Sequence, residues 1–325
     1  MISLAGIERA RETIRGAALR TPLVRLEADG PAEIWLKLES LQPIGSFKIR
    51  GAVNAVRQAP SGRTAAGVVT ASAGNMAQGI AWAARERGVP ATIVVPESAP
   101  KTKLDAIARL GGRVVEVPHE RWWQVLVESR FDDVEGFFVH PVQDELVIAG
   151  NGTIGFELAE EAPDADVVLV PWGGGGLFTG IASALAALQP DARVYAVEPE
   201  TGAPLAAALA AGGPVEVDYR PSFVDGAGSR ALLPLMWERA RPLLAGSFAV
   251  GLDETAAAVR LLAERAHVVA EGAGALAVAA ALSGRVGAGR IEAGGVEAKK
   301  IVCVVSGGNI DASRLAAILG GATPE

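Results

Sequence analysis

Four short segments of this sequence carry residue types that could do chemistry. The first is Gly45-Ser46-Phe47-Lys48-Ile49-Arg50-Gly51-Ala52, where a lysine follows a small-residue turn at the start of a helical pattern. The positive end of a helix dipole lowers the pKa of an amine there. Desolvation beside Phe47 lowers it further, so Lys48 suits Schiff-base chemistry. Taken alone, a lysine in such a place is more often a surface residue. The second segment runs from Val167 through Pro171-Trp172 into Gly173-Gly174-Gly175-Gly176-Leu177. A strand passing through a tetraglycine turn into a helix lets several backbone N–H groups converge on one phosphate. No Lys-Ser/Thr pair follows, so it is not a P-loop, and the run does not fit the dinucleotide pattern G-x-G-x-x-G/A. The third, Ser72-Ala73-Gly74-Asn75-Met76-Ala77-Gln78-Gly79, offers N–H and hydroxyl donors to a carboxylate, or is an ordinary helix cap. The fourth, Ser306-Gly307-Gly308-Asn309, ends an apolar run.

The elements that must position these segments follow from the hydrophobic pattern. Short β-branched runs at 34–38, 67–70, 91–95, 114–117, 137–140, 167–170, 194–197 and 301–305 read as strands. Helical patterns lie at 7–17, 47–58, 75–87, 100–110, 122–131, 151–161, 177–188, 204–211, 253–265 and 274–282. Such alternation predicts an α/β fold, with two mostly parallel, open twisted sheets flanked by helices. The stretch 283–300, rich in glycine and charge, reads as a mobile surface loop.

Composition narrows the partners. Of 325 residues 39 are glycine, well above the roughly 7% of an average chain, with neither a collagen period nor a disordered composition. A formal net charge of −7 without a long basic run excludes a nucleic-acid footprint. The single Cys303 sits in an apolar run and reads as a buried thiol, which fits a reducing cytoplasm. His119, His140 and His267 are not spaced as metal ligands. The uncharged stretch 167–190 is long enough to span a bilayer, but Pro171 and the glycines would break the helix. The N-terminus alternates charge and carries no signal-peptide pattern, so a soluble protein is expected. Two stretches, 226–231 and 272–277, match G-x-G-x-x-A, which is weak in a glycine-rich chain.

Together the segments resemble the serine/threonine dehydratase branch of the pyridoxal-phosphate enzymes of the tryptophan-synthase-β fold type. Gly150-Asn151-Gly152-Thr153-Ile154-Gly155 and Arg20-Thr21-Pro22-Leu23 add to the likeness, which runs from Ile7 to Leu319 with its motifs in order. The glycines of 150–155 are expected, with those of 173–176, 226–228, 272–274 and 307–308, in loops around one phosphate-bearing cofactor. The resemblance implies fold type II. A large cofactor domain would comprise 1–66 and 144–325, and an inserted small domain, 67–143, would contribute the Ser72–Gly79 loop. It further implies pyridoxal 5'-phosphate on Lys48, packed by Phe47. Gly173, Gly174, Gly175, Gly176 and the amide of Leu177 would hold the phosphate. Asn75 would face the ring hydroxyl and Ser306 the pyridine nitrogen, with Gly226 and Glu271 bordering the ring. Ser72, Ala73, Gly74, Asn75 and Met76 would hold the substrate carboxylate. A cytoplasmic homodimer acting on a small amino acid is implied as well.

A neutral Ser306 at the ring nitrogen makes a weaker electron sink than a carboxylate would, which favours prompt loss of a β-substituent. The expected reaction is α,β-elimination from a 3-hydroxy L-amino acid, threonine or serine, giving a 2-oxo acid and ammonia. β-Replacement, as in cysteine synthases, is the alternative. Ala73 stands where racemases of the branch carry a serine, which disfavours racemisation. Met76 replaces a histidine and is expected to make the pocket more apolar. Glu198 matches one acidic ligand of the branch's divalent-metal site, but Pro204 takes the place of another, so no metal is expected. Trp122-Trp123 reads as core, or as an aromatic wall admitting a bulkier substrate such as phenylserine. The length leaves no room for the C-terminal regulatory domain of biosynthetic threonine dehydratases, so isoleucine feedback is not expected.

Overall fold

The computed structural model describes residues 1–29, 32–287 and 295–324. Six strands form the larger sheet: β1 (Leu23–Leu26), β2 (Glu33–Leu38), β7 (Val167–Pro171), β8 (Arg193–Pro199), β9 (Gly246–Val250) and β12 (Lys300–Val305). Their order is β1-β2-β12-β7-β8-β9, and all neighbours are parallel except β1 with β2. A smaller, wholly parallel sheet has the order β5-β4-β3-β6, from Gly112–Val117, Ala91–Pro96, Val68–Ala71 and Phe137–Phe138. The central strands read as unbroken apolar runs because helices cover both faces of a parallel sheet. β7 and β3 are buried at every position.

The α/β fold with mostly parallel sheets agrees with the sequence reading, and the helix Asn75–Arg87 lies where the pattern puts it. The differences have local causes. β1 and β9 interleave polar residues and glycine at sheet edges, so neither shows a buried-strand pattern. The helix expected from 151 begins at Glu145, because Asp144 caps it by accepting the N–H groups of Leu146 and Val147. The helix expected at 122–131 spans His119–Glu128, ended by Ser129 in the left-handed region. Within the loop expected at 283–300, residues 288–294 lie outside the described residues. Val286–Gly287 and Val296–Glu297, β10 and β11, pair in parallel.

Gly150-Asn151-Gly152-Thr153-Ile154-Gly155 corrects an expectation. It is no cofactor loop but the buried middle of the Glu145–Glu161 helix. A Cβ at Gly155 would meet the Ile181 carbonyl at 2.5 Å, and one at Gly180 the Ile148 carbonyl at 2.5 Å. These glycines let two helices pack backbone to backbone. The same helix supports Lys48–Gln58, whose Ile49, Val53 and Val56 join Val68, Met76, Ile80 and Ile93 in one apolar cluster.

Candidate active site

The four segments singled out in the sequence all follow carboxyl ends of strands, where open parallel sheets present ligand sites. Ser306 follows β12, Trp172 and the glycines follow β7, Ser72 follows β3, and the Lys48 turn lies beyond β2. Backbone bonds stitch two of them together. Phe47 N donates to the Ser306 carbonyl (3.0 Å) and Gly308 N to the Gly45 carbonyl (2.8 Å). Glu271 N donates to the Gly307 carbonyl at 3.0 Å, which brings in the start of the Gly272–Leu282 helix.

These segments line one cleft of about 580 Å³ between the sheets. Phe47, Lys48, Ser72, Ala73, Gly74, Asn75, Met76, Gly173, Gly174, Gly175, Gly176, Leu177, Gly226, Glu271 and Ser306 all border it, so every sequence-predicted site residue except the metal candidate meets there. Lys48 Nζ donates to the Pro141 carbonyl at 3.1 Å and lies 5.3 Å from the centre of the Phe47 ring. Loss of water around the amine pushes its pKa down to about 8, against the opposing pull of Glu271. Burial, then Asp225, pushes the Glu271 carboxyl up to about 8.

The tetraglycine loop is shaped from behind. Gly175 has φ +90°, and a Cβ there would strike the buried Trp172 ring at 2.7 Å. A Cβ at Gly174 would meet Val142 at 2.6 Å, and one at Gly173 the Gly226 carbonyl at 2.9 Å. Only bare backbone fits. Gly175 caps the Gly176–Leu188 helix, and among the described residues the amides of Gly173 to Phe178 have no protein acceptor. Free amides at a helix N-terminus, backed by its dipole, are a phosphate cradle. A lysine amine of lowered pKa in the same cleft completes a donor set that fits pyridoxal phosphate.

Some side chains are placed differently from expectation. Met76 borders the cleft, but its side chain is 2% exposed and lies in the apolar core. Asn75 donates to Glu271 Oε1 and accepts from Asn309 Nδ2, each at 2.8 Å. Glu198 lies at the end of β8, where it accepts the amides of Leu205 (2.9 Å) and Ala206 (2.8 Å) and caps the helix Pro204–Ala211. Burial pushes its carboxyl up to about 7. Of the tryptophan pair, Trp122 faces the cleft while Trp123 is 50% exposed.

The matching family model is the pyridoxal-phosphate dependent enzymes, over residues 14–307. An L-threonine ammonia-lyase of Thermotoga maritima is 40% identical, covering 98% of this chain and 78% of its own length. A catabolic L-threonine dehydratase of Staphylococcus aureus is 34% identical over 98% of this chain and 92% of its own. The chain belongs to the serine/threonine dehydratase family of pyridoxal-phosphate enzymes. Among solved structures, maize serine racemase superposes with a TM-score of 0.87 at 32% identity, covering 98% of this chain and 97% of its own. This is the fold type II architecture, and the family makes the protein a pyridoxal-phosphate-dependent ammonia-lyase. Among the described residues no helix is long and apolar enough to cross a membrane, and no group of three or more His, Cys, Asp or Glu is placed to hold a metal ion.

Sequence reasoning missed several residues of this region. Asp225, Lys103 and Tyr219 line the cleft, and Asp225 holds Lys103 Nζ at 2.7 Å across it. His140-Pro141, which meets Lys48, had one signal available, a histidine closing an apolar run just before a proline. Behind the cleft lies an ion-pair cluster that no spacing rule reveals, because its members come from four separate elements. Arg50 grips Glu39 with two bonds of 2.8 Å and Glu157 at 2.6 Å, and Lys37 Nζ lies 2.7 Å from Glu157.

Proposed function

We propose that the protein deaminates L-threonine by α,β-elimination: water is lost from Cα and Cβ, and the released enamine takes water back as it hydrolyses to 2-oxobutanoate and ammonia. The observation that carries this reading is the Lys48 amine, held near pKa 8 in one cleft with the tetraglycine cradle and the Ser72–Asn75 turn. Pyridoxal phosphate, when bound, supplies an aldehyde that captures amines and a ring that takes up the electrons of the Cα–H bond. The names of the Thermotoga and Staphylococcus relatives support threonine as substrate.

The chain's own residues divide the remaining work. The amides of Gly173 to Leu177 bind the phosphate. Gly74 caps the Asn75–Arg87 helix, and the first amides of that helix take the substrate carboxylate at its positive end. Lys48 Nζ takes the Cα proton, a task for which a pKa near neutrality suits an amine. Ser306, 3% exposed, presents a hydroxyl rather than a carboxylate to the ring. Ala73 has no side-chain proton to give, so no acid acts from that residue, which supports elimination over racemisation. The lobe built on the smaller sheet, 67–143, would close over the bound carboxylate. Lys103 and Asp225, 2.7 Å apart, already bridge the two sides.

Purified protein with pyridoxal phosphate and a panel of 3-hydroxy amino acids, read as 2-oxo acid formed, tests the reading. Threonine is expected to give the highest kcat/KM; turnover of none of the panel would overturn it. A second reading, a bulkier substrate such as phenylserine, is favoured by Trp122 and Leu126 on the cleft wall. The same panel decides, since that reading requires phenylserine to outrun threonine.

A further inference from the structure

His140 is buried at 6% exposure just after β6. Its Nδ1 accepts two backbone N–H groups, from Val142 at 3.1 Å and Gln143 at 2.9 Å. A nitrogen that accepts carries no proton, so the ring is neutral with its proton on Nε2, the side facing the Leu126 carbonyl. Burial, and then the charge of Lys48, push its pKa down to about 4, so it stays neutral near pH 7. The ring closes a tight turn over residues 140–143. Pro141 has no N–H of its own, so the amides of this turn begin at the two that the ring accepts. Its ends are tied as well. Thr70 Oγ1 donates to the Val139 carbonyl and Arg239 Nη1 to the Gln143 carbonyl, each at 2.8 Å.

Two parts of the site rest on this turn. Lys48 Nζ donates to the Pro141 carbonyl at 3.1 Å. Val142 backs the glycine loop, its side chain against Gly174 and its carbonyl against Gly176. We propose that His140 is a positioning residue, which fixes the Pro141 carbonyl as the acceptor for the free Lys48 amine and so sets where that amine's lone pair points. This rests on Lys48 being the reacting amine. A neutral amine has two N–H bonds and one lone pair. Giving one N–H to a fixed carbonyl turns the lone pair away from it, toward the cleft. The seat of the amine and the seat of the phosphate thus share one turn.

Replacement by Asn tests the geometry. Asn Oδ1 lies the same number of bonds from the backbone as His Nδ1 and closes the same kind of turn, whereas Gln Oε1 lies one bond further out. Among the described residues Glu271 is the charged group that raises the pKa of the Lys48 amine and Lys48 the one that lowers that of His140, and replacing a neutral imidazole leaves both charges in place. The measurement is the trinitrobenzenesulfonate labelling rate of Lys48 in full-length, cofactor-free protein across pH, resolved by peptide mass spectrometry. Lys101, exposed, serves as the reference, and Lys37, fully buried, reports unfolding.

His140→Ala and His140→Gln admit water to the turn and should raise the Lys48 midpoint by about one unit, slowing its labelling at pH 7.5 about tenfold. His140→Asn should stay within about twofold of the parent, and Lys37 should stay unlabelled throughout. The proposal is overturned if His140→Ala labels Lys48 at the parent's rate and midpoint, even with a lowered melting temperature. It is equally overturned if His140→Asn behaves as His140→Ala. Pyridoxal phosphate failing to attach to Lys48 of the parent would instead sink the functional reading, which this labelling does not use.

Discussion

Lys48 and Arg50 are two cations two residues apart on one helix, and the structure treats them in opposite ways. The Arg50 guanidinium is saturated: Glu39, Glu157, Thr153 and the Leu19 carbonyl accept its protons at 2.6–3.0 Å. Burial works against its charge, but Glu39 and then Glu157 outweigh that and hold its pKa above the ordinary value. Among the described residues the Lys48 amine has one acceptor, the Pro141 carbonyl, and burial lowers its pKa to about 8. One cation is locked into scaffold and the other is left reactive. The helix gives each a different side: Arg50 turns toward the Glu145–Glu161 helix, Lys48 toward the cleft. A burial cost met by carboxylates builds a rigid wall, and the same cost left unmet makes a base.

The largest effect should come from Lys48→Ala. Cofactor attachment and the cofactor's absorbance should vanish and kcat/KM fall by about 10³-fold or more, while the unfolding midpoint stays within a few degrees. A collapse in stability would break the contrast, since it would make Lys48 part of the scaffold. Glu39→Ala, which strips Arg50 of its bidentate partner, should cost about 3–5 kcal/mol in denaturant unfolding. A loss under 1 kcal/mol would show that the cluster is not the wall described here. Next comes Gly175→Ala, which forces a side chain onto positive φ and against Trp172. The strain should cost about 1–3 kcal/mol, read as pyridoxal phosphate bound about tenfold or more weakly in equilibrium dialysis.

Legibility followed the same contrast. The cleft could be read in the sequence because its chemistry needs bare backbone in short runs, and 173–176, 72–79 and 306–309 are local words. Arg50, Glu39, Glu157 and Lys37 meet through tertiary packing across 120 residues of chain, and charge spacing along one element says nothing of it. The glycines of 150–155 misled for a related reason. A glycine that lets two helices touch looks, in a list of letters, like one that lets backbone touch a phosphate. What separates them is the apolar pattern of a helix already under way from Glu145, interrupted to the eye by Gly150, Gly152 and Gly155.

The smallest effect expected is on pH dependence. Glu271 keeps its proton to about pH 8 when folded, against about 4.5 unfolded. Between those values the unfolded chain binds fewer protons, so stability from this group is full below about pH 4.5 and is lost as pH rises toward 8. Glu271→Gln should flatten that slope in unfolding measured at pH 5, 6.5 and 8. An unchanged slope would mean the carboxyl is not shielded from water as the cleft requires. Lys48 has the opposite sign of slope in a higher window. Its folded pKa is below the unfolded one, so stability rises from about pH 8 toward 10.5, and Lys48→Met should remove that rise.

The central claim, that the chain has one amine built for reaction beside one cation built for support, is tested most directly by trapping. The protein would be saturated with pyridoxal phosphate, reduced with borohydride and digested, and the modified peptide identified by mass spectrometry. One phosphopyridoxyl group is expected, on Lys48. Modification of Lys103, the other lysine lining the cleft, or of none in the cleft, would contradict it.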